Sequence, residues 1–98
     1  MPYAEIARYD VGQRGNPRFP EQQAMAVAKP RLRDMIARAE AKAAEDGRPA
    51  PFYNIETKCT EATDALFHPR PARFTGLLWD LLDATGIAAR ATLQSFDV

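Results

Sequence analysis

The chain has 98 residues, and 13 Lys plus Arg balance 13 Asp plus Glu, so its formal net charge is zero. Hydrophobic residues make up 46% and charged residues 27%, an ordinary globular mixture. That balance excludes a broad electrostatic footprint for nucleic acid or anionic membrane, and no apolar run approaches the roughly 18 residues a membrane span needs.

Residues 1–29 are heavily punctuated. Tyr3 to Tyr9 can form a short amphipathic turn, after which Gly12, Gly15, Asn16, Pro17 and Pro20 interrupt any regular element. The stretch reads as a long loop of the kind that often carries function. Glu5, Arg8, Asp10, Arg14 and Arg18 deny it the apolar segment of a signal peptide, and no compartment is assigned. The arginines at 8, 14, 18, 31, 33 and 38 are interleaved with few aromatics and read as a solvated face.

The spacing predicts a helix over 30–45, with Pro30 in its first turn, where a missing N–H is harmless. Leu32, Met35, Ile36, Ala39 and Ala43 form one apolar stripe, and Gly47 and Pro49 end the helix. Residues 52–58 read as a strand. Period two puts Tyr53, Ile55 and Thr57 on an apolar face, with Asn54, Glu56 and Lys58 on the other. Cys59 follows as the only cysteine, so the chain has no internal disulfide and reads as holding a reduced core or loop thiol.

A loop over 59–71 is polar up to Leu66 and Phe67 and closes on His68-Pro69-Arg70-Pro71. His68 is the only histidine and reads as structural or solvent-exposed. A second helix is predicted at about 72–84, on Phe74, Leu77, Leu78, Leu81 and Leu82, with Trp79 at its rim and Gly86 as its cap. Residues 90–96 read as a second strand. Strand, helix and strand in this order imply two parallel strands joined by a right-handed crossover. Parallel sheets are normally covered on both faces, so the segment reads as the middle of a larger α/β protein.

Glu56 and Lys58 stand near the C-terminal end of their strand, where parallel barrels place their chemistry. From spacing alone two readings stay open: an ion pair on an exposed strand, or one oxygen ligand of a hard cation beside an ammonium that holds an anion. The residues at this point carry a resemblance. Tyr53-Asn54-Ile55-Glu56-Thr57-Lys58 resembles the N-I-E-x-K strand of glycerophosphodiester phosphodiesterases, and Gln94-Ser95-Phe96-Asp97 resembles the Q-S-F-D strand that follows one helix later. Tyr9-Asp10-Val11-Gly12, Phe19-Pro20 and Lys29-Pro30-Arg31-Leu32 are similar to the family's substrate-side loop and its entry into the next helix. His68-Pro69-Arg70-Pro71 and Phe74 fit its lead-in to the helix between the two strands.

The resemblance implies a partial (β/α)₈ barrel of the TIM type, with residues 1–29 as an active-site-side loop and 30–98 as helix-strand-helix-strand. A whole barrel has about 250 residues. The implied activity is hydrolysis of glycerophosphodiesters to glycerol 3-phosphate and an alcohol, with a divalent metal, Ca2+ or Mg2+. Glu56 would then be a metal ligand, and Lys58, Gln94 and Phe96 would meet the substrate. The family's His-Arg-Gly strand, its Glu-x-Asp pair and its second histidine have no counterpart here, and His68 matches neither catalytic histidine. The chain alone is therefore expected to be inactive. An alternative from another class is a small α/β protein that associates through open strand edges; a third keeps the barrel but changes the chemistry to a related phospholipase or sugar isomerase.

Overall fold

A computed structural model describes residues 1–96. It is a small α/β structure with three α-helices and a two-stranded parallel sheet. The helices are α1 (Tyr3–Ile6), α2 (Leu32–Glu45) and α3 (Pro71–Thr85), and the strands are β1 (Tyr53–Thr57) and β2 (Ala91–Ser95). Short 3₁₀ turns lie at Glu61–Thr63 and Ala88–Arg90. No helix among the described residues is long and apolar enough to cross a membrane. The chain divides into two compact units, Met1–Asp34 and Met35–Val98.

The first unit is organised by polar contacts. Asp10 accepts hydrogen bonds from the amides of Gln13 and Val27, both at 2.9 Å, and closes the loop between them. These amides, Gln13 first and then Val27, hold its carboxyl below the ordinary aspartate value. Val11 N–H donates to the Val27 carbonyl and Met25 N–H to the Gly12 carbonyl, so two stretches of irregular backbone run side by side. A Cβ at residue 12 would strike the Met25 carbonyl oxygen and Val27 Cγ2, so only glycine allows this approach. The Tyr3 ring lies 5.0 Å from the Arg31 guanidinium carbon, and its hydroxyl donates to the Lys29 carbonyl.

The second unit has the expected periodicities. Ile36 of α2, Tyr53 of β1, Leu78 and Leu82 of α3, and Ile87 form the buried core. Met35 and Leu77 belong to the anticipated stripes yet are 37% and 51% exposed. Each lies one residue from a buried position, so the helix turns it toward the stripe's edge. Trp79 is 58% exposed and stands outside the core. Helix α2 begins at Leu32, two residues later than the spacing suggests, so Pro30 precedes the helix instead of sitting in its first turn. Such shifts are ordinary at helix ends.

Both glycine stops appear as anticipated. Gly47 and Gly86 have φ of 65° and 73°, the left-handed conformation that glycine adopts without a Cβ clash. Behind Gly86, Ile87 N–H donates to the Leu82 carbonyl, which turns the chain toward β2. β1 and β2 then pair in parallel with Tyr53 opposite Ala91, Ile55 opposite Leu93 and Glu56 opposite Gln94.

Candidate functional site

Paired residues of parallel strands project to the same side, so the register fixes what shares a face. Asn54 and Glu56 therefore stand beside Thr92 and Gln94, and alternation adds Lys58 and Phe96 just beyond the strand ends. Tyr53, Ile55 and Thr57 occupy the other face and are buried or half-buried. The apolar and polar faces are those the alternation predicts.

On the polar face, Lys58 Nζ donates to Glu56 Oε1 at 3.0 Å, and Asn54 Nδ2 donates to Gln94 Oε1 at 3.0 Å. The Glu56 side chain keeps 30% of its exposure and Lys58 keeps 82%. An ion pair this exposed contributes little stability, on the order of 0–1 kcal/mol. Its chemistry is another matter. A carboxylate and an exposed ammonium stand at one point, over a floor of amide side chains. Phe96 is 76% exposed beside them. Asp97, the last residue of the Gln-Ser-Phe-Asp segment, lies outside the described residues.

A hard divalent cation takes at least six oxygen ligands. Among the described residues no group of three or more His, Cys, Asp or Glu side chains could hold a metal. Glu56 is one carboxylate, already engaged by Lys58, and Gln94 Oε1 is taken by Asn54. These residues fit a single ligand of a cation site and do not fit a complete one.

The loop after β1 holds His68. Its side chain is 13% exposed, so of the two expected roles it takes the structural one. Nε2 is 2.7 Å from Thr63 Oγ1 and receives the Thr60 amide at 3.4 Å, while Nδ1 lies 3.0 Å from the Pro69 carbonyl oxygen. A carbonyl only accepts, so Nδ1 carries a proton. Asp64 Oδ1 is 3.5 Å from Nδ1 and is buried without a hydrogen bond. Cys59 is half-buried and lines a small pocket of about 220 Å³ with Thr57, Pro71, Phe74, Thr75 and Ser95, on the helix side of the sheet.

The opposite ends of the strands hold a cluster that the sequence reading did not anticipate. Arg90 Nη1 donates to Glu40 Oε1 at 2.7 Å and to the Pro51 carbonyl at 2.6 Å, and Nη2 donates to Glu40 Oε2 at 3.1 Å. Tyr53 Oη adds a 2.8 Å bond to Glu40 Oε1. Arg90 was expected to open the second strand. It ends a 3₁₀ turn instead, because its guanidinium reaches back across the strand starts to Glu40. One signal was available: Glu40 is four residues after Ile36, so a carboxylate sits on the helix's apolar side.

No family model matches this chain, and no curated protein matches it.

Proposed function

We propose that this chain is the middle part of a metal-dependent glycerophosphodiester phosphodiesterase barrel. The observation that carries this reading is the pairing of Glu56 with Gln94 across two parallel strands, with Lys58 bonded to Glu56 at the strands' C-terminal ends. That end is where parallel α/β architectures gather catalytic side chains. In this reading Glu56 supplies one carboxylate to a Ca2+ or Mg2+ ion, whose chemistry when bound is to polarise a phosphoryl oxygen. Lys58, with its flexible stem, neutralises charge on the diester oxygens. Gln94 orients the substrate by hydrogen bonding and Phe96 covers its glycerol side. No proton-transfer pair accompanies them in this chain, so binding without turnover is the expected behaviour.

The test is an NMR titration of the chain with Ca2+, Mg2+ and glycerol 3-phosphate. Cation-induced shifts should centre on Glu56, Lys58 and Gln94, with millimolar affinity typical of a sparse oxygen site. Glu56→Gln should weaken the cation response about tenfold or more, whereas Lys58→Met should weaken only the anion response. Shifts that avoid these residues, or that persist in Glu56→Gln, would remove the role given to Glu56.

A second reading rests on the strand order. With β1 and β2 the only strands of the sheet, each presents one unpaired edge among the described residues. Such edges are templates for pairing with another chain, so a small α/β protein working by association is the alternative.

A further inference from the structure

The loop between β1 and α3 is a hydrogen-bonded knot with an apolar tip. Thr63 N–H donates to the Thr60 carbonyl, and Leu66 and Phe67 N–H both donate to the Thr63 carbonyl at 3.1 Å. Ala65 N–H donates to the His68 carbonyl at 2.9 Å, closing a tight turn. Ala65 pays a steric cost for its place there, with φ of 59° in a region L residues seldom occupy. The His68 ring is pinned inside by Thr63, Thr60 and Pro69.

What this knot presents is Leu66 and Phe67, adjacent, 75% and 86% exposed. Large apolar side chains held this far into water stabilise nothing in the folded chain. Next after the tip along the chain come two exposed cations, Arg70 and Arg73, with no ion pair among the described residues. They occupy the N-cap and first turn of α3, which contains no acidic residue there. The helix dipole disfavours cations at that end, so helix stability does not account for them either. Asp64 is folded inward toward His68, leaving Glu61 as the loop's one exposed carboxylate.

We propose that this tip is an interfacial anchor for anionic lipid: Leu66 and Phe67 enter the headgroup boundary while Arg70 and Arg73 meet the phosphates. The charge pattern selects this occupant, because an apolar prong followed at once in the chain by unpaired cations matches a surface that is apolar below and anionic above. The knot matters energetically, since a pre-ordered tip loses little conformational freedom on insertion. The proposal stands independently of any hydrolytic activity.

The experiment is co-sedimentation of the whole chain with phosphatidylglycerol–phosphatidylcholine vesicles and with phosphatidylcholine alone. Binding should require the anionic lipid. Leu66→Asn with Phe67→Asn, and separately Arg70→Gln with Arg73→Gln, should each weaken it about tenfold or more. Both pairs are exposed, so circular dichroism should report an unchanged fold. In a Trp79→Phe background, Phe67→Trp emission should shift to the blue on adding anionic vesicles. Absence of binding to anionic vesicles overturns the proposal, as does equal binding by either double variant. A tip variant that instead abolishes concentration-dependent self-association also overturns it, and assigns the tip to a second copy of the chain.

Discussion

Leu82→Ala is expected to leave the unit Met35–Val98 barely folded at physiological temperature. Leu82 is 2% exposed and shares the core with Ile36, Tyr53, Leu78 and Ile87. Truncating a buried leucine removes its transfer free energy and leaves a cavity, together costing about 2–5 kcal/mol. Small domains have only about 5–15 kcal/mol in total. With so few fully buried side chains, the remainder cannot close over the gap. Leu77→Ala is the control: at 51% exposure on the same helix, its cost should stay near or below about 1 kcal/mol. Urea unfolding followed by circular dichroism separates the two, since the midpoint should collapse for Leu82→Ala and barely move for Leu77→Ala. Equal midpoints would mean that the core lies elsewhere.

Arg90→Gln is the second large effect, and its signature is a change in pH dependence. The Arg90 guanidinium, and next the Tyr53 hydroxyl, hold the Glu40 carboxyl below its ordinary value of 4.5. A depressed folded value means that the carboxylate's contribution is fully present above about pH 4.5 and is lost as pH falls through the depressed value. The wild-type unit should therefore lose stability on acidification below that point. Arg90→Gln removes the cause, returns Glu40 toward its ordinary titration, and lowers the melting temperature at neutral pH by roughly 4–8 °C, a typical one-interaction shift for a domain this small. The gap between variant and wild type should narrow as pH is lowered. Tyr53 adds a mirror-image dependence: burial first, and then Glu40, raise its hydroxyl above 10.0, so its contribution is lost only as pH rises through that raised value. Carboxyl-carbon NMR of Glu40 in wild type and Arg90→Gln measures the cause directly. An unshifted Glu40 in both proteins would show that the pair does not govern acid stability.

The same contrast shows how much was legible. The helical stripes, the two strands and the glycine caps follow from local periodicity and backbone sterics, and they appear within a residue or two of their expected ends. The polar face of Asn54, Glu56 and Lys58 was equally legible, because alternation along one strand needs no knowledge of the rest. The Glu40–Arg90 pair was not, since its partners are 50 residues apart in the chain. Nor was the knot around His68. A lone histidine in a proline-rich loop carries no periodic signal, and only the turn at Ala65 brings Thr60 and Thr63 onto its ring.

By itself the sequence determined the elements, their order and the two-faced character of β1, all properties of neighbours along the chain. Only the tertiary structure decided the register that sets Glu56 beside Gln94, the ion pair that ties α2 to the start of β2, and the loop that holds Leu66 and Phe67 out in water. The reason is physical. Periodicity reports which side of an element is apolar, whereas register, ion pairing and loop closure depend on which distant groups must satisfy one another once those apolar sides are buried.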